Sequence, residues 1–326
     1  VETRGIESHF MIREVFMSEV REENKMGVMP VPKLVFNMAL PMMISMLVQA
    51  LYNIVDSIFV AQISEDALTA VSLAFPMQTL NIAVAVGTGV GVNALLSKSL
   101  GEKDFEKVNA TACNAIMLYI ISYFVFLVLG QTVVKPFYLS QVKSVDSPIY
   151  SMGVDYLSIV MSFCLGIFMQ VCFERLLVST GKTAFAMTSQ LVGAITNLIL
   201  DPIFIFGLLG VPKMGVTGAA VATVIGQFAS AVVALILNLK FNTEIHISFK
   251  GFRPNPRIIK LIYKVGFPSM VMQSIGSVMT YTMNRILIEF SSTATAVFGT
   301  YFKLQSFFFM PLFGMNGPVT PIIAYS

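Results

Sequence analysis

Charged residues are scarce in this sequence. Asp, Glu, Lys and Arg together make up 12% of its 326 residues, where a soluble domain carries about 25%. An ordinary soluble enzyme and a disordered chain are both excluded by that shortfall, since each relies on charge to face water. The net charge of +3 is small and the basic residues form no single patch, so no nucleic-acid partner is expected. Histidine is nearly absent, with His9 and His246 far apart. The three cysteines, Cys113, Cys164 and Cys172, lie in apolar runs without a CxxC pair. A zinc site, a disulfide framework and a resident cofactor are therefore not expected. Tryptophan is missing altogether, which leaves 10 Tyr and 27 Phe to supply any interfacial belt.

What is present is apolar length. Hydrophobic residues make up 56% of the chain, and the mean hydropathy is +0.77. A helix needs about 20 apolar residues to cross the hydrocarbon core of a bilayer. Eight stretches reach that length: 33–61, 67–97, 108–134, 150–178, 184–208, 215–239, 257–289 and 292–324. Polar and chain-breaking clusters separate most of them, such as Ser64-Glu65-Asp66, Gly101-Glu102-Lys103-Asp104 and Thr180-Gly181-Lys182. The predicted fold class is an all-α polytopic membrane protein whose main partner is the lipid bilayer, with a monomer as its expected state.

Basic residues orient such a bundle, because cytoplasmic loops are enriched in Lys and Arg. With the N-terminus inside, the inner segments carry Arg21, Lys25, Lys33, Lys98, Lys103, Lys107, Arg175, Lys182, Lys240, Lys250, Arg253, Arg257, Lys260 and Lys264. The outer loops carry only Lys135, Lys143 and Lys213. That asymmetry predicts a multi-pass protein of the cytoplasmic (inner) membrane with a cytoplasmic N-terminus.

The chain also resembles itself. Leu40-Pro41 and Phe267-Pro268 open spans one and seven, 227 residues apart, and Gly87 recurs as Gly314 at the same offset. Six helices fit within that offset, and an even number preserves orientation, so the halves are expected to be parallel repeats. The reading divides the chain into a charged extension (1–30), a six-helix lobe (31–240), an inter-lobe loop (241–256) and the first two helices of a second lobe (257–326). On this pattern about four further helices are expected to be missing, as in a truncated sequence.

Ionisable residues inside spans are functional candidates because each costs roughly 2.5–3.5 kcal/mol to insert. Span one carries one polar stripe: Ser45, Gln49, Tyr52, Asn53 and Asp56. Span five carries Gln190, Asn197 and Asp201, followed by Pro202, which leaves the Leu198 carbonyl without its helical donor. Thr223 in span six falls at comparable depth. Carboxylate, amide, hydroxyl and carbonyl oxygens suit a hard cation such as Na⁺, and paired carboxylates also suit H⁺. Elsewhere, Asp155 is expected at the outer interface of span four, and Glu174 and Arg175 are expected to snorkel at its inner end. Arg285 and Lys303 are expected to pair with Glu289 or with an acid on an absent helix. At the repeat position of Asp56 the second half has Thr282 or Met283.

These residues resemble those of the multidrug and toxic compound extrusion (MATE) transporters from about Pro30 to Ser326. The resemblance is carried by Gln49-Ala50-Leu51-Tyr52-Asn53-Ile54-Val55-Asp56, Gly87-Thr88-Gly89-Val90-Gly91, Asn197-Leu198-Ile199-Leu200-Asp201-Pro202 and Gly215-Val216-Thr217-Gly218 through Thr223. It implies twelve helices in two lobes and Na⁺- or H⁺-driven export of small organic, often cationic compounds. It places the cation site on Asp56, Asn197, Asp201 and Thr223, with Gln49, Tyr52, Asn53, Gln190 and Pro202 supporting or lining it. The competing readings are a lipid-linked oligosaccharide flippase of the same broader superfamily, which calls for a cationic cavity, and a receptor or channel. An intramembrane enzyme would need a catalytic pair that the sequence does not display.

Overall fold

The computed structural model describes residues 24–142, 144–248 and 253–325; within them the chain is helical, with no strand. Helix α1 (Lys25–Val28) is a single turn. The helices α2 (Val31–Ala61), α3 (Glu65–Gly101), α4 (Phe105–Thr132) and α5 (Val134–Gln141) follow, then α6 (Pro148–Ser162), α7 (Leu165–Ser179), α8 (Thr183–Phe206) and α9 (Val216–Phe241). A second group consists of α10 (Pro256–Phe290) and α11 (Ser292–Tyr325). The boundaries follow from capping chemistry. Ser64, Asp104, Ser147 and Asn255 each accept an N–H of the first turn of the helix they open, and Gly207 closes α8 in the left-handed conformation that glycine tolerates.

Among the described residues five helices (α2, α3, α4, α8 and α9) are long and apolar enough to cross a membrane, and up to seven spans result if each of two bent pairs counts as one. The first bent pair is α6 and α7, which meet at 45°. Read from sequence, 150–178 is one uninterrupted span. The break at Phe163–Cys164 is flanked by Ser162 and Gly166, small residues of the kind that mark sharp kinks, and Gly166 packs closely on Gln227 and Phe228 of α9. The second bend lies within α11, near Pro311. Helix α10, read as a span from sequence, is 35 residues long but falls outside the apolar set. Ser269, Gln273, Ser274, Ser277, Thr280 and Thr282 dilute it.

Alternate helix ends gather on opposite sides of the bundle. On one side Lys182 Nζ donates to the Phe241 carbonyl at 2.7 Å, Asn24 Nδ2 donates to the Thr180 carbonyl and to Glu244, and Asn114 Oδ1 accepts from the Asn255 N–H. This is the basic end, where Lys98, Lys107 and Lys182 lie. Burial, and secondarily the Lys182 ammonium, push the Lys25 ammonium below its ordinary pKa. On the opposite side Thr293 Oγ1 donates to Glu65 and Phe59 stacks edge-on against Phe206. The turn α1 lies within the segment read as an extension. Its Met26 is buried with Leu34, Met38 and Ile322.

The two groups of helices meet through glycine. Gly87 lies against Met270, where an added Cβ would sit 2.8 Å from the Met270 nitrogen, and Gly314 lies against Met42 and Met43, 3.1 Å from the Met43 Cα. Gly87 and Gly314 are 227 residues apart, as are Met43 and Met270. So α3 packs on α10 as α11 packs on α2, with backbones brought close by small residues, the usual way helices associate in lipid.

Candidate functional site

Helices α8 and α9 approach each other through a reciprocal glycine contact. A Cβ on Gly193 would meet the Gly226 carbonyl at 2.9 Å, and one on Gly226 would meet the Gly193 carbonyl at 2.8 Å. One turn further along α8, this close approach sets Asn197 against Thr223. The Asn197 amide lies 3.4 Å from both Asp201 Oδ1 and Thr223 Oγ1. With the amide turned over, its nitrogen donates to Asp201 Oδ2 at 3.1 Å and its oxygen accepts from the Thr223 backbone N–H at 3.1 Å. In both orientations Asn197 bridges the carboxylate and α9. The Thr223 hydroxyl donates to the Ala219 carbonyl of its own helix, which leaves its oxygen lone pairs facing Asn197.

Asp201 is fully buried and Asn197 is 3% exposed. Asp56 lies within electrostatic reach of Asp201, and both carboxylates act on the hydroxyls of Tyr52 and Tyr156. The structure thus brings Asp56, Asn197, Asp201 and Thr223 into one region between α2, α8 and α9. Pro202 sits within α8, which continues to Phe206. Asn53 does not line the cavity described next; its carbonyl accepts the Ser57 hydroxyl.

A cavity of about 40 Å³ runs from this cluster toward the basic end, lined by Ser45, Gln49, Tyr52, Gln170, Gln190, Asn197, Thr223 and Gln227, among others. Gln49 and Tyr52 both line it from α2, one turn apart. Its polar walls and its size suit roughly three waters. The oxygens of Asp201, Asn197 and Thr223 are of the type that hard cations select, and a buried carboxylate with a second, half-buried one beside it is equally able to hold a proton. Among the described residues no group of three or more His, Cys, Asp or Glu side chains gathers as a metal site.

Tyr156 escaped the sequence reading, and two residues it did name lie elsewhere than expected. Tyr156 of α6 is buried, accepts from Gln78 Nε2 at 3.1 Å and faces the carboxylates, whereas the neighbour the sequence singled out, Asp155, is exposed. Glu174 and Arg175 do not snorkel: they are 4% and 8% exposed. The helix end beyond them, Leu176 to Thr180, is itself buried, so neither side chain extends to the aqueous surface at the membrane boundary, and Arg175 leaves the set of basic residues there. Arg285 is exposed, and the Lys303 side chain lies outside the described residues.

Comparison with known proteins adds family information to this geometry. The family model described as MatE matches residues 41–203. The multidrug export protein MepA of Staphylococcus aureus is 26% identical over 300 residues, covering 91% of this chain and 65% of MepA. Among solved structures, the MATE multidrug transporter DinF-BH superposes with a TM-score of 0.84 at 30% identity, over 92% of this chain and 66% of that one. A MOP superfamily transporter from Pyrococcus furiosus, described as having a binding pocket of reverse polarity that suggests a different function, superposes at 0.79 with 27% identity, over 93% and 66% of the two chains. The present chain spans 65% of the length of the curated relative it matches.

Proposed function

The chain belongs to the MatE family, and from that premise we propose that it works as a cation-coupled antiporter, exporting small organic compounds, cationic ones among them, in exchange for Na⁺ or H⁺. The observation that carries this reading is Asp201. It is a fully buried carboxylate on a membrane helix, within electrostatic reach of Asp56 and bridged by Asn197 to Thr223, both of which line a polar cavity. An isolated charge so placed is costly, and binding a cation removes that cost. If the cation binds one arrangement of the lobes better than the other, it shifts their populations by that differential affinity. Substrate then competes for the same arrangement.

In this reading the basic end is cytoplasmic, the protein is a monomer in the cytoplasmic membrane, and Asp56 and Asp201 face the outer half of the bilayer. The sequence assigns fourteen basic residues to inner segments against three to outer loops, which motivates the orientation; with the buried Arg175 set aside the contrast remains. Among the described residues the cavity walls carry no cationic side chain, so the flippase reading gains nothing from them.

The test is transport by the protein in liposomes with imposed gradients. Ethidium efflux should follow an inward pH or Na⁺ gradient and stop when that gradient is collapsed. Efflux independent of both gradients would refute the coupling. Orientation is read separately with Ser248→Cys, at an exposed position of the basic end. A membrane-impermeant thiol reagent should leave it unlabelled in intact cells and label it in inverted vesicles, and labelling in intact cells would reverse the topology.

A further inference from the structure

The proposed coupling leaves unused a second buried carboxylate, at the other end of the same cavity. Glu174 of α7 is 4% exposed and lies among neutral donors. Gln170 Nε2 donates to its Oε1 at 3.1 Å and Gln190 Nε2 donates to its Oε2 at 2.7 Å. Gln190 is itself oriented by α2, because its Oε1 accepts from the Ser45 hydroxyl. One chain of hydrogen bonds therefore ties α7, α8 and α2 together at Glu174. Gln170, Gln190 and Ser45 also form the basic-end wall of the cavity whose far wall is Asn197 and Thr223.

Spacing fixes how far apart the two carboxylate sites are. Ser45 and Asp56 are eleven residues apart on α2, and Gln190 and Asp201 eleven apart on α8. At 1.5 Å per residue each separation is about 16 Å along the helix. The space between is bridged by the Tyr52 hydroxyl and by room for roughly three waters.

We propose that Glu174 is a second proton-binding carboxyl of this lobe, positioned to pass protons between the Asp56–Asp201 cluster and the basic side of the membrane. Its partners point to a proton and not a metal cation. Both carboxylate oxygens already face N–H groups, and the surrounding amides present hydrogen where Na⁺ would need oxygen. No cation stands within ion-pair distance of Glu174 among the described residues. The Arg175 side chain lies against Gly89 of α3 and near Gly317 of α11. Arg175 nevertheless acts on Glu174 electrostatically, and Tyr119 of α4, whose hydroxyl donates to the Ala85 carbonyl at 2.9 Å, is within electrostatic reach of both; Cys172 and Tyr263 lie around Tyr119. Helices α2, α8 and α9 present only the non-titrating Ser45, Gln190 and Gln227 to the cavity end. The step is a protonation alone: Glu174 takes a proton from cavity water, an amide N–H turns away, and the proton later leaves to water at the basic end.

This inference deepens the proposed coupling and rests on it, and one experiment separates the two. Infrared difference spectra between low and high pH are recorded on the protein in nanodiscs, reading the protonated-carboxyl band. Glu174→Gln should delete one component that the Asp56→Asn/Asp201→Asn double variant retains, and Glu174→Asp should shift that component without deleting it. Efflux of ethidium driven by a pH gradient should fall at least tenfold in Glu174→Gln and recover in part in Glu174→Asp, with ethidium binding at equilibrium unchanged. A Glu174→Gln or Glu174→Asp spectrum identical to that of the parent protein would overturn the proposal. Loss of the Glu174 component together with an unaltered spectrum in the double Asp variant would overturn the Asp56–Asp201 assignment and leave Glu174 as the sole proton site.

Discussion

Helices α2 and α10 occupy equivalent places in the repeat, yet only one of them carries chemistry. On α2 the stripe Ser45, Gln49, Tyr52 and Asp56 faces its own lobe, three of the four lining the polar cavity. The positions 227 residues later on α10 are Met272, Gly276, Met279 and Met283. Met272 and Met279 are 70% and 50% exposed, and a Cβ on Gly276 would meet nothing within 4 Å. The glycine contacts between the groups, by contrast, are shared: Gly87 on Met270, Gly314 on Met43. Packing is thus duplicated while the ionisable stripe is not. A repeat preserves what holds helices together in lipid, which is close backbone approach. A buried carboxylate is retained only where other groups make its charge tolerable.

The strongest challenge to this comparison is aimed at the packing. Gly91→Leu drives a side chain into the Ile262 carbonyl of α10. Overpacking of this kind costs about 1–3 kcal/mol and more where backbone is struck. Thermal unfolding in detergent should show a lowered Tm and separation of α10 from α3; an unchanged Tm would mean that the contact does not hold the groups together. Next in size is the chemistry. Met283→Asp placed in an Asp56→Asn background should fail to restore gradient-driven efflux, because α10 offers no Asn197–Asp201 partner at that depth. Restoration would show that the two lobes are interchangeable. Thr223→Ala removes one oxygen near Asn197 and should weaken coupling by about 1 kcal/mol, roughly fivefold, read as a higher half-saturating cation concentration. The smallest effect belongs to Gly276→Ala. Its open surroundings and helical position predict a gain of about 0.5–1 kcal/mol, against the loss at Gly91.

Much of this was readable from sequence because lipid imposes simple rules. The apolar stretch read at 67–97 became a helix from Glu65 to Gly101, and 184–208 became Thr183–Phe206, with ends fixed by local caps and by Gly207. The features that were not readable depend on neighbours. No proline marks the bend at Phe163–Cys164; it arises where Gly166 meets α9. Glu174 looked like a boundary residue because Arg175 follows it near the end of an apolar run. Only tertiary packing of Leu176 to Thr180 reveals that this helix end is covered. Tyr156 gave no signal beyond an aromatic beside Asp155, since a span lists its residues without saying which face is inward. The sequence reading of Asp201, next to Pro202, needed no neighbour, because a carboxylate in an apolar helix is conspicuous by itself.

Coupling of cation entry to export by the carboxylates of the first lobe is the central claim. The direct measurement is ethidium efflux from liposomes under an imposed pH or Na⁺ gradient, comparing the parent protein with Asp56→Asn and Asp201→Asn. Each substitution keeps the side-chain shape and removes the charge. Both variants should fold, with Tm close to the parent, and lose gradient-driven efflux. If both retain efflux at the parent rate, the carboxylates serve only to hold helices together and the coupling assignment is wrong.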